Sequence, residues 1–324
     1  MIDFRYHLVS IIAVFLALAI GLAVGSTALS GKAVEFLNAQ ERRAVASNAS
    51  LTKHNQALTN QVAADQAFAQ AASLRLVGGL LAHEKVVLVV APGADNAVTA
   101  GVINILRQAG ATVTGQVGLT PSFLTTTGNA EAALTQLAQN LAAKHGLAPP
   151  APSENPVAGQ QAAAQLLAAS LLDSPSGGTT LSVKASADIL SGLEQTGYVT
   201  ASPQTPAPAT AAVLVAPGGL APQTGSEVLG AVAAQLKEAS GSATVMAGAT
   251  ESVGQDSVIS NEKNSPDPVS TVDNADTESG QIMVAQALRY LLEGKAPAAY
   301  GIDSGNAPSP APTPSVTSTA GGHP

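Results

Sequence analysis

Apolar positions along this chain change their spacing twice. From Leu8 to Leu29 the sequence LVSIIAVFLALAIGLAVGSTAL runs 22 residues without a charge. At ~1.5 Å per residue that helix is about 33 Å long, enough to cross a hydrocarbon core of roughly 30 Å. A helix also pairs its backbone groups within one segment, as lipid requires. The run predicts a transmembrane anchor over residues 8–29, after a short flank over residues 1–7. A cleavable signal peptide is the competing reading, since Ala23-Val24-Gly25 and Ser26-Thr27-Ala28 offer small residues at cleavage-like spacing. Its apolar region would usually run only ~7–15 residues, so the length favours an uncleaved anchor. Arg5 precedes the helix, while Lys32, Arg42 and Arg43 follow it. The short flank and the lack of a second span favour an inside N-terminus, with the bulk of the chain extracytoplasmic. Gly21 and Gly25 form a GxxxG within the span, a spacing that permits close helix–helix approach.

After the anchor, from about residue 33 to 81, the chain is polar, Ala-rich and free of Pro. A heptad frame fits it: Val34, Leu37, Glu41, Ala44, Asn48, Leu51, Asn55, Leu58, Val62, Asp65, Ala69, Ala72 and Leu76. Their spacing alternates three and four, which predicts a left-handed coiled coil and a homo-oligomer. Asn48 and Asn55 at core-type positions cost stability but set register or oligomer state, while Glu41 and Asp65 weaken the seam. The alternative is one amphipathic helix folded back on the domain that follows.

Beyond Glu84 the period changes again. Val86–Val90 is a β-branched run ending in Ala-Pro-Gly, the mark of a buried strand. Further strand-like runs lie at 111–119, 197–200, 211–216 and 244–247. Helical patterns lie at 98–108, 131–144, 161–172, 187–195, 226–239 and 281–292. Strands alternating with helices predict an α/β domain with a mainly parallel sheet over residues 85–301. Val86-Val-Leu-Val-Val-Ala-Pro-Gly93 and Ala212-Val-Leu-Val-Ala-Pro-Gly218 resemble each other, as two core strands leaving the sheet by one kind of turn. Pro/Ala-rich stretches at 147–157 and 201–209 read as loops. Residues 302–324, with Pro308, Pro310, Pro312 and Pro314, read as a disordered tail.

Composition narrows the chemistry. Net charge is −8, which leaves no electrostatic footprint for nucleic acid. Cysteine is absent, so disulfides, thiolate nucleophiles and Cys-based metal sites are excluded. No phosphate-cradling loop, GxGxxG, GxSxG or HExxH is present. The pattern therefore reads as non-enzymatic, with no catalytic residue and no resident cofactor.

Soft donors for copper are few: Met1, Met246 and Met283, with His7, His54, His83, His145 and His323. No two His share an i, i+4 helix face. Seven carboxylates fall between Glu251 and Glu278 against the single Lys263. Asp273, Asp276 and Glu278 are the candidates for a hard cation or a partner there. Capping and solubility are the plainer reading, with Thr277 or Ser279 as the cap of the helix that follows.

Two blocks carry a family resemblance. The first is His7-Leu-Val-Ser10 through Ala13-Val-Phe-Leu-Ala-Leu-Ala19, with Gly21 and Gly25-Ser26. The second is Val269-Ser-Thr-Val-Asp273, Gly280-Gln-Ile, Ala287-Leu288 and Tyr300-Gly301. Together they resemble the actinobacterial copper transport protein B family, MctB. Anchor, coil, α/β region and tail follow that family's order. The resemblance implies a cell-envelope protein with a role in copper efflux or channel formation, copper being the transported ion. It also implies an alternative, an adaptor for a peptidoglycan hydrolase in cell separation. A single span encloses no pore by itself, and no aromatic girdles of a spanning barrel are visible.

Overall fold

The computed structural model describes residues 4–127, 129–148, 157–173, 181–202, 206–218, 223–252 and 257–304. Residues 149–156 and 203–205 of the two Pro/Ala-rich stretches, and residues 305–324 of the expected tail, lie outside them. The chain divides into two compact units, residues 1–65 and 66–324.

The first unit is the greater part of one helix, α1 (Phe4–Val77), which is unbroken from the apolar run into the polar one. The second unit begins within the last turns of α1. There Ala69, Ser73, Val77 and Leu81 sink into the second unit's core, and the Ser73 hydroxyl donates to Gln108 at 3.1 Å. These last turns pack through 69, 73 and 77 rather than along the heptad line 69, 72 and 76.

The remaining elements are β1 (Lys85–Val90), α2 (Asn96–Gln108), β2 (Thr112–Leu119), α3 (Ala130–Lys144), α4 (Ala158–Leu171) and α5 (Val183–Gln195). They continue as β3 (Val199–Ser202), β4 (Ala211–Val215), α6 (Gln223–Ala239), β5 (Thr244–Ala247), α7 (Val258–Lys263), β6 (Ser270–Val272), α8 (Glu278–Leu292) and β7 (Ala299–Tyr300). The sheet order is β3-β2-β1-β4-β5-β6-β7. Among the described strands only β3 runs antiparallel to its neighbour.

Sheet alternation divides the core in two. Val87, Val89, Ala212, Leu214 and Met246 face α3, α4, α5, α6 and α7. Val86, Leu88, Val213, Val215, Val245 and Val272 face the end of α1, α2 and α8. Strands covered on both faces read as continuous apolar runs, which is why β1 and β4 are so conspicuous in sequence. The domain is thus a doubly wound α/β sheet with helices on both faces.

Candidate functional site

Arg5–Gly25 of α1 has a mean hydropathy of 2.8, and none of it is buried within the chain. By length and composition it can cross a bilayer, and it is the one such helix among the described residues. Val14, Ala17, Leu18, Gly21, Leu22 and Gly25 line an open apolar groove on its surface.

Below it, Val34, Leu37, Leu51, Leu58 and Val62 stand 46–62% exposed. The hydroxyls of Thr52 and Thr59 donate to the backbone carbonyls of Asn48 and Asn55 at 2.8 and 2.9 Å. These bonds satisfy the threonines locally and leave both Asn amide groups on the helix surface.

In the second unit, β1 and β4 lie side by side and in parallel, yet their outgoing helices α2 and α6 cover opposite faces. This is the topological switch point, where open α/β sheets form a crevice at the carboxyl ends of the strands. The two similar Ala-Pro-Gly turns leave the sheet here. Gly93 sits at φ 83°, and a Cβ placed on it would come 3.6 Å from Pro217. Glu251 lies beside the second turn, its carboxylate 3.4 Å from where a Cβ on Gly218 would stand.

The acidic segment around this edge is largely engaged in holding the fold. Asp95 caps α2, accepting from the N–H of Ala97 at 2.7 Å. Asp276 accepts from both the N–H and the hydroxyl of Thr250, at 2.7 and 2.8 Å. Asp273 is buried and accepts from the N–H groups of Ile302 at 2.7 Å and Asp303 at 2.9 Å. Ile302 and Asp303, read from sequence as the start of the tail, are therefore fastened to the domain. Thr277 caps α8 through the N–H of Gly280, and Glu278 occupies the first turn, where the helix dipole favours a carboxylate. Among the described residues no group of three or more His, Asp or Glu is placed to hold a metal ion.

Burial is the main cause raising the pKa of Glu262, opposed by the Val269 N–H and Lys237. Burial also raises the Tyr300 phenol, and the nearby Tyr290 adds to the shift. Hydrogen bonds from Arg289 and Lys295 lower the pKa of Glu293.

The soft donors do not converge. Met246 is fully buried on one face of the sheet, while Met283 packs on the core of the other face. The side chain of His145 lies between α3 and α5, with Nε2 4.0 Å from Asp188. His83 terminates the turn after α1 with φ 72°. His7 and His54 are exposed on α1, and Met1 and His323 lie outside the described residues. The pair of turns at the switch point was visible in sequence only as a repeated run. Its meaning needed the strand order.

A family model described as "Copper transport outer membrane protein, MctB" matches residues 1–312. Proteins named copper transporter MctB from Mycobacterium tuberculosis and Mycobacterium bovis are 30% identical to this chain over 313 residues. The alignment covers 94% of this chain and 98% of each relative. The Mycobacterium leprae protein of the same name is 30% identical over 314 residues.

Proposed function

The chain belongs to the MctB family, and from that premise we propose that it is a single-pass membrane component of copper transport. The observation that carries this reading is the extent of the match, which takes in both the apolar helix and the α/β domain. Copper is cargo in this account, not a resident cofactor. The bulk of the chain lies on the extracytoplasmic side, and the protein acts without catalysing a reaction. One apolar helix encloses no aqueous path, so copper handling requires more than one copy or a further membrane partner.

Asp273 and Asp276 contribute to this function by holding the domain's acidic edge in place, and Glu278 by its place in the first turn of α8. A hard cation there would have to displace the hydrogen bonds that Asp273 and Asp276 accept. Copper tolerance of a strain lacking the protein tests the proposal. Full-length protein should restore tolerance, and a chain with residues 8–25 made polar should not. Unchanged tolerance in the deletion strain would sink it.

A second reading is an adaptor for a peptidoglycan hydrolase, which the membrane-spanning segment and the long polar stretch of α1 would suit. Calorimetry separates the two. Copper binding by the full chain in micelles supports the transport reading. Titrations without heat in either redox state, together with failed cell separation on deleting Val34–Leu76, support the adaptor.

A further inference from the structure

The seam of α1 is made to meet a copy of itself. Val34, Glu41, Asn48, Asn55 and Val62 fall at the a positions of the heptad, and Leu37, Ala44, Leu51, Leu58 and Asp65 at the d positions. β-Branched residues at a with Leu at d favour two parallel strands, and Asn at a pairs with its own counterpart when the strands are in register. From Val34 to Val62 the frame runs about four heptads, long enough for a stable coil.

The flanking e and g positions are Asn38, Gln40, Val45, Ser47, Thr52, His54, Thr59 and Gln61, with no Asp, Glu, Lys or Arg among them. Two identical copies therefore meet without repulsion between formal charges at the flanks. Copies anchored in one membrane by Arg5–Gly25 also enter it by the same end, so their seams run parallel.

We propose that this seam takes a second copy of the chain in a parallel, in-register, two-stranded coiled coil, with Gly21 and Gly25 turned away from that partner. The second clause follows from the phase of the helix. α1 is continuous between the two features. At about 100° per residue, Gly21 and Gly25 stand roughly 140° and 180° round the helix from Val34. Supercoiling leaves the conclusion unchanged, since the two glycines then fall at b and f, the outer positions. The GxxxG groove and the heptad seam cannot serve the same pair of helices. The inference goes beyond the copper reading and does not depend on it.

The chain has no cysteine, so single-cysteine variants of the full-length protein report contacts in native membranes without background. Oxidation should crosslink Leu37→Cys, Leu51→Cys and Ala23→Cys as covalent dimers. It should crosslink Lys53→Cys and Gly25→Cys, on the outer face, several-fold less. The double variant Leu37→Cys/Leu51→Cys should stop at the dimer. A trimer or longer ladder would overturn two strands. Equal crosslinking at Gly25 and Ala23 would overturn the phase. Monomers at both Leu37 and Leu51, or their capture by a different protein, would overturn the self-association itself.

Discussion

The buried carboxylate of Glu262 accepts a hydrogen bond of 2.9 Å from the backbone N–H of Val269, tying α7 to the strand β6 that follows. Burial raises the pKa of this group above 4.5 despite that bond and despite Lys237. The folded state thus holds a proton here that the unfolded chain releases between 4.5 and the raised value. The stability Glu262 contributes is complete below the unfolded pKa and is lost as pH rises through the folded one. Replacing it by Gln removes this titration. Denaturation of both proteins across the acid range should show the wild type losing stability relative to Glu262→Gln as pH rises, by up to about 1.4 kcal/mol per pH unit. A difference that grows in favour of the wild type with rising pH would contradict the assignment.

Asp273 holds the chain beyond β7 through two backbone N–H groups. Asp273→Ala leaves those donors without their acceptor and should cost about 2 kcal/mol or more. Amide exchange at Ile302 and Asp303 should accelerate well before exchange in β4 does. Equal protection at both places would show that the carboxylate does not carry the restraint.

Gly280 stands in the first turn of α8 directly against the backbone carbonyl of Asn274. A methyl there meets backbone rather than a movable side-chain tip. Gly280→Ala should therefore destabilise the α/β domain by about 3 kcal/mol, despite the better helix propensity of Ala. Thermal melting gives the check: an unchanged or raised Tm would mean that the turn can move aside.

In the proposed two-stranded stalk, Glu41 would place two carboxylates at one a layer. Glu41→Leu removes their repulsion and buries apolar surface from both copies, each side chain contributing about 1.5 kcal/mol or more. Dimer dissociation in detergent should shift to higher denaturant, with the melting of the α/β domain unchanged. A shift in the domain alone would place Glu41 elsewhere.

Much of this architecture was legible because each segment has its own period. An uncharged run of 22 residues and β-branched runs ending in Ala-Pro-Gly each admit few structures. Strand β5 is found at the residues its pattern indicates, and β1, β2 and β4 within one residue. What escaped notice was short or atypical. α7, β6 and β7 have six, three and two residues, too few for a period to register. β6 also sits in the acidic segment, where charge density masks its buried residues. The restraint on Ile302 and Asp303 was hidden because it comes from Asp273, 29 and 30 residues away. The scattering of Met246 and Met283 across the sheet could be known only once the sheet order was.

The central claim, that this member of the MctB family serves copper transport, is tested most directly by cell-associated copper. Copper would be quantified by mass spectrometry in the deletion strain and in strains carrying the full chain or the chain with a polar 8–25 segment, all after the same copper load. The account predicts that the deletion changes copper content and that only the anchored full chain restores it. Identical copper content in all the strains would contradict the account.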